Sequence, residues 1–271
     1  MSAFTYAIAH SPTPLLNTPD FRASFGGHSG VEIPLDSQQL LRSVESVAFP
    51  GSKFTVLEQV SDHIVRAATR EYPGQDVFVD RRFLTPVAAE PEERSRSLPS
   101  IPGFLAGLER LVGTRYIWGG NWPKGIPMLL EHYPPKIDIA QIDPLLSDTW
   151  QLKGVDCSGL LYYVSNGGTP RNTSSLLNFG KPISIEGKDP ADIVDLLNDL
   201  DLIVWRGHVV IVFDHETSIE SIAGKGVYKQ SLYERIEELV QDKKRIPVDD
   251  YALTADLGDR FVVRRWHPDN I

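Results

Sequence analysis

The chain has 271 residues, 41% of them apolar, and a formal net charge of −9. The acidic balance argues against nucleic-acid binding and against attraction to anionic lipid. No run of roughly 18 apolar residues offers a membrane-spanning helix, and the single cysteine excludes an intramolecular disulfide.

Met1 to His10 has neither a basic region nor an apolar core, which reads as the absence of a secretion signal. With a free thiol that suits a reducing compartment, this gives the expectation of a cytoplasmic location. Residues 1–87 read as all-β. Leu15 and Leu16 lie in a first segment punctuated by Pro12, Pro14 and Pro19. Ser37 to Leu41 is expected as a strand or short helix. Phe54–Val60, His63–Thr69 and Asp76–Asp80 read as short strands, with Ser61-Asp62 and Tyr72-Pro73-Gly74 as turns. Short strands with tight turns predict a small barrel. Residues 88–100 are charged and proline-containing with little to bury, and read as a linker. Pro102 opens a helix through Phe104, Leu105, Leu108 and Leu111 that ends at Gly113. The proline-rich stretch 121–155 is expected as an inserted loop beside the substrate site.

Lys153 to Val164 holds the only cysteine. Leu160, Leu161 and Val164 recur at helical spacing and the pattern stops at Gly167-Gly168, which predicts a helix with Cys157 at its N-terminal end. Unpaired amides and the positive end of the helix dipole favour thiolate there, the nucleophile of cysteine hydrolases. On this stretch alone a buried, inert cysteine is the alternative. Arg171 suits a bidentate contact to a substrate carboxylate; a surface ion pair is its alternative. Asp189-Pro190 caps a helix, Ala191 to Leu200.

A base follows. Leu202–Trp205 is a strand, Arg206-Gly207 a turn, and His208 opens the apolar run Val209–Phe213. A histidine at a strand mouth can take a proton from the thiol. Glu220 lies 12 positions later on the next predicted strand and is placed to orient the ring. His215, in the intervening turn, is the fallback. Leu232–Val240 reads as an amphipathic helix whose charges form a solvated face, and Arg260–Trp266 as a last strand. The other histidines, His10, His28, His63, His132 and His267, show no metal-ligand spacing.

The ordered blocks Tyr116-Ile117-Trp118-Gly119-Gly120, Asp156-Cys157-Ser158-Gly159-Leu160, Pro170 to Ser174, Gly207-His208-Val209 and Ile219-Glu220 resemble those of the NlpC-type, papain-like cell-wall peptidases. The resemblance covers about residue 100 to the C-terminus. It implies an α+β papain-like cysteine hydrolase domain over 101–271, with the cysteine helix packed on an antiparallel sheet. The activity implied is hydrolysis of the γ-D-glutamyl–diamino acid amide bond in peptidoglycan stem peptides. Carried over, Cys157 is the nucleophile, His208 the base and Glu220 the third member, while Tyr116, Trp118, Asp156 and Ser158 line the cleft. The third position usually holds His, Asn or Gln in this family; a carboxylate there raises the affinity of His208 for its proton more than an amide would. No cofactor is implied.

Leu57-Glu58-Gln59, Glu71-Tyr72-Pro73-Gly74 and Val77 to Asp80 resemble the bacterial SH3-like domains found ahead of some of these catalytic domains. That resemblance implies recognition of the free amino terminus of L-alanine on the peptide, for which Glu71 and Tyr72 are the residues to name, and hence free peptides as substrates. Two alternatives stand: a cysteine amidase or acyltransferase of the same fold, and a non-catalytic peptidoglycan-peptide binder with the triad decayed at Glu220. The oligomeric state is open.

Overall fold

A computed structural model describes residues 4–27, 29–138, 141–251 and 260–271; Met1 to Ala3 and His28, read above, lie outside them. The chain divides into two compact units, Met1–Ser95 with Arg115–Gly159, and Arg96–Thr114 with Leu160–Ile271.

In the first unit, β1 (Tyr6–Ala9), β2 (Thr13–Leu16), β3 (Val44–Ala48), β4 (Lys53–Gln59), β5 (Ile64–Ala68), β6 (Val77–Asp80) and β7 (Leu84–Val87) form one sheet in the order β3-β2-β6-β5-β4-β1-β7. All its pairs are antiparallel. Its edge strands β3 and β7 do not pair with each other, so an open sheet stands where a barrel was expected. Successive residues point to opposite faces. Leu15, Ala48 and Val65 join a cluster with Phe54 and Val79. Leu16, Val47 and Ile64 join a different one.

That second cluster is completed by Ile126, Leu129, Tyr133, Ile142, Trp150 and Leu152, all from the stretch expected as an inserted loop. The stretch carries short helices Met128–His132 and Pro144–Trp150. It opens and closes on a two-stranded ribbon of β8 (Asn121–Trp122) and β9 (Gly154–Val155). Pro144 sits in the first turn of its helix, where a missing N–H costs nothing, and Asp143 caps it by accepting from Leu145 N at 2.8 Å. Trp150 is fully buried and donates its Nε1 to the Tyr133 carbonyl at 3.0 Å.

Ser37 to Leu41 forms neither strand nor helix. Asp36 Oδ1 accepts from Gln38 N at 2.8 Å and Leu40 N at 3.0 Å, and these local bonds fold the stretch into a turn. Residues 88–100 contain no helix or strand, yet Arg94 of this stretch pairs with Glu71 at 2.8 Å.

The second unit holds β10 (Lys181–Ile183), β11 (Leu202–Trp205), β12 (His208–Val212), β13 (Thr217–Ile222), β14 (Gly226–Ser231), β15 (Ile246–Pro247) and β16 (Arg260–Arg265). The sheet order is β10-β16-β11-β12-β13-β14, antiparallel, with β15 parallel to β16. Ile203, Val210, Val212 and Val263 pack against Ile193, Leu197, Leu232, Ile236 and Leu239. The helix over Ile101–Glu109 buries Phe104 and Leu108 as its spacing predicts. The helix at Asp189 is shorter than expected, Pro190–Val194, and gives way to i→i+3 bonds from Leu196 N and Leu197 N. The helix Leu232–Glu237 continues as a wider turn over Glu238–Asp242.

Among the described residues no helix is long and apolar enough to cross a membrane.

Candidate active site

Cys157 is the first residue of the helix Cys157–Val164 and is 6% exposed. Leu160 and Leu161 are fully buried, as the helical spacing requires. The helix stops where Gly167 N donates back to Tyr162 O at 2.8 Å. Its start is built by Asp156. Oδ1 of Asp156 accepts from Gly159 N at 2.6 Å, an N-cap bond, and from the Ser158 hydroxyl at 3.2 Å. Asp156 N in turn donates to Gly120 O at 2.8 Å. A Cβ on Gly159 would lie 2.0 Å from that same carbonyl oxygen, so only glycine lets the two strands of backbone meet there. The Trp-Gly-Gly and Asp-Cys-Ser-Gly blocks thus form one packed unit around the start of the cysteine helix. Tyr116 and Trp118, just before it, are partly exposed, and the Arg42 guanidinium lies 4.0 Å over the Trp118 ring.

His208 opens β12 after the two-residue turn Arg206-Gly207, where Gly207 takes a φ of +93°. Trp205 pairs with His208 across this hairpin, with ring centroids 4.9 Å apart. The β12–β13 register pairs Ile211 with Ile219 and Val212 with Ser218. Continued, it sets His208 opposite Ile222, which makes Glu220 its diagonal neighbour on the same face. His208 Nε2 lies 2.5 Å from Glu220 Oε2, and the Glu220 carboxylate is fully buried. His215 is exposed in the turn between the strands.

Four other contacts secure Glu220. Oε1 accepts from Tyr228 at 3.1 Å and from Gln230 at 2.8 Å, both on β14. Oε2 accepts from Arg235 Nη2 at 3.0 Å. Arg235 Nε is 2.9 Å from Oε1 but lies too oblique for a hydrogen bond, so it adds charge attraction rather than a second bond. Burial alone would push the Glu220 carboxyl up. The hydrogen bond from His208 and the charges of His208 and Arg235 overcome it and hold the group below its ordinary value of 4.5. Burial, reinforced by Glu220, pushes the Tyr228 phenol up to about 12.

Arg235 was read as part of a solvated face. It is 6% exposed, because its helix turns that side toward β13 rather than water. Neither it nor Trp205, Tyr228 and Gln230 was singled out as a site residue in the sequence.

Arg171 is 4% exposed, which removes a surface ion pair as its role. Glu71 is 1% exposed and bonded to Arg94. Tyr72 turns elsewhere and donates its hydroxyl to Glu45 Oε2. Asn17 Nδ2 donates to the other Glu45 oxygen at 2.7 Å, and no cation pairs with Glu45 among the described residues. Among the described residues no cluster of three or more His, Cys, Asp or Glu is placed to hold a metal ion.

No protein-family model and no curated protein matches the chain. Its fold is similar to the crystal structure of an NlpC/P60 family protein from Bacillus cereus, with a TM-score of 0.58 at 14% identity over 97% of this chain and 100% of that one. NlpC1 and NlpC2 from Trichomonas vaginalis align over 98% of this chain and over 70% and 74% of theirs, with TM-scores of 0.34 and 0.33 at 15% and 13% identity. Those two scores are too low to argue from. What the Bacillus cereus structure shares with this chain is its fold.

Proposed function

We propose that the chain is a cysteine hydrolase that cuts the γ-D-glutamyl–diamino acid amide bond of peptidoglycan stem peptides, with Cys157 as nucleophile and His208 as base. The observation that carries this reading is the 2.5 Å contact between His208 Nε2 and the buried Glu220. An imidazole whose Nε2 is committed to a carboxylate exchanges protons at Nδ1, which is the division of labour a thiol–imidazole pair needs. Cys157 at a helix start and the fold likeness to an NlpC/P60 protein support it.

In this mechanism His208 Nδ1 takes the thiol proton and Cys157 Sγ attacks the amide carbonyl. Backbone N–H groups of the first helical turn, that of Cys157 included, hold the oxyanion. The imidazolium then gives its proton to the leaving amine, and water, deprotonated by His208, releases the acyl group from the thioester. Tyr116, Trp118 and Arg171 bind the peptide.

The SH3-like reading of the first unit assigns it the L-alanine end of a free peptide. Glu71 is already neutralised by Arg94, so the carboxylate suited to an ammonium group beside Tyr72 is Glu45.

The test is digestion of L-Ala-γ-D-Glu-meso-diaminopimelate, with and without an N-acetyl cap, by wild type and Cys157→Ala. Release of diaminopimelate from the uncapped form by wild type alone is expected. Cleavage of both forms would point to wall polymer instead, and cleavage of neither to another amide substrate or a binding protein.

A further inference from the structure

We propose that Arg235 is a positioning residue that makes Glu220 act on His208 as a charge-compensated, amide-like orienting group. The proposal deepens the reading of His208 as the base and rests on it. A lone buried carboxylate against an imidazole binds the imidazolium tightly, and such an imidazolium is a poor donor to a leaving amine. An amide avoids this, because it orients the ring without a full charge. Here a carboxylate occupies that place, and a cation has been brought to it from a different element. Arg235 Nη2 donates to Oε2, the oxygen that contacts His208, at 3.0 Å, and its Nε lies 2.9 Å from Oε1. Arg235 is 6% exposed, so the attraction is little screened by water.

Among the described residues of this unit, several charged or titratable groups lie around the pair. Tyr228 and Gln230 on β14 donate to Glu220 and carry no charge at neutral pH. Glu238 shares Arg235 at 2.6 Å, but it is 36% exposed and has Lys243 at 3.7 Å. Arg245 lies 4.9 Å over the Trp205 ring, and Lys225 4.8 Å over that of Tyr228. Among the described residues, Arg235 is the Arg or Lys in direct contact with the orienting carboxylate. Its guanidinium lies 5.7 Å over the Trp205 ring centroid, and methionine keeps an unbranched apolar chain of similar length without the charge.

The experiment is an NMR titration of the His208 imidazole in the full chain, the resonance assigned as the one lost in His208→Gln. It needs no substrate. Arg235→Met is expected to raise the His208 midpoint by about one pH unit. Arg235→Lys, which keeps the charge, is expected to leave it near the wild-type value. The double variant Glu220→Gln/Arg235→Met removes both charges and is expected to return it there. An unchanged midpoint in Arg235→Met, or a double variant shifted as far as the single one, would overturn the proposal. If Arg235→Met does not fold, the double variant decides: a midpoint raised like that expected of the uncompensated carboxylate overturns the charge argument. A shift seen in a protein that cleaves no stem peptide would overturn the stem-peptide reading of the function while leaving the coupling of Arg235 to His208 intact.

Discussion

Gly159 and Gly120 meet backbone to backbone, so closely that a Cβ on Gly159 would fall 2.0 Å from the Gly120 carbonyl oxygen. That oxygen also accepts from Asp156 N at 2.8 Å, which fixes where the cysteine helix begins. Gly159→Ala forces the two segments apart, and overpacking of this kind costs about 1–3 kcal/mol. For a chain of this size the melting temperature should fall by roughly 5 °C. Gly103→Ala is the control: it lies exposed in the helix Ile101–Glu109 with its nearest side-chain neighbour at 3.4 Å, and alanine there should be neutral or slightly stabilising. Equal melting temperatures for wild type and Gly159→Ala would contradict the close approach.

Asn121 acts as a piece of strand. Its Oδ1 accepts from Val47 N at 2.7 Å and its Nδ2 donates to Val47 O at 2.8 Å, which satisfies both backbone groups of a residue on the edge strand β3. Both Asn121 and Val47 are fully buried. Asn121→Ala leaves an N–H and a C=O without partners, each costing about 1–3 kcal/mol. Urea unfolding should show a loss of about 3 kcal/mol. A loss below about 1 kcal/mol would mean that water reaches the gap.

Asn121 also marks where the sequence was silent. The strands of the second unit were legible because β11 and β12 are short apolar runs broken by Gly207. His208 was read from its place at a strand mouth, and Glu220 from its place on the next strand and from the family resemblance. The stretch 121–155 was not legible, because prolines there were weighed as loop markers. Asp143-Pro144 is the same helix-opening pair as Asp189-Pro190, and it does open a helix. Arg235 stayed hidden for a different reason. An arginine on an amphipathic helix looks solvated unless the carboxylate it faces is known, and that carboxylate is fifteen positions away on a strand. The pairing of Tyr72 with Glu45, 27 positions apart, is likewise a product of sheet order, which local pattern does not encode.

Glu220 should leave a signature in acid. Its folded value lies below its ordinary 4.5, so the stability it contributes is present in full above that value. The contribution is lost as pH falls through the folded value. Glu220→Gln, which strands Arg235 without its main carboxylate, should be less stable than wild type by about 1–3 kcal/mol near neutral pH. The difference should shrink as pH drops below about 4.5, where the wild type loses the same interaction. Urea midpoints of the two proteins measured across that range check this. Asp80 and Asp214 are also held low but are common to both proteins, so they cancel in the comparison. Parallel stability curves would show that Glu220 has the same proton affinity folded and unfolded, so that its contacts with His208 and Arg235 do not favour the ionised form.

Glu45 and Glu71 make opposite predictions for the same peptide pair. Glu45 accepts from two neutral donors, Tyr72 and Asn17, and pairs with no Lys or Arg among the described residues. Glu71 is buried against Arg94. A charge-assisted hydrogen bond to the L-alanine ammonium is worth about 1.5–3 kcal/mol. Glu45→Gln should therefore lower kcat/KM for the uncapped peptide by about 10- to 100-fold. Hydrolysis of the N-acetylated form, which lacks the ammonium, should be unchanged. Glu71→Gln should lower the melting temperature, because it removes the buried carboxylate that pairs with Arg94, and should leave the ratio of uncapped to capped kcat/KM as in wild type. Discrimination lost through Glu71 rather than Glu45 would return the amine to the carboxylate that the turn Glu71-Tyr72-Pro73-Gly74 first suggested. It would also require Arg94 to move when substrate binds.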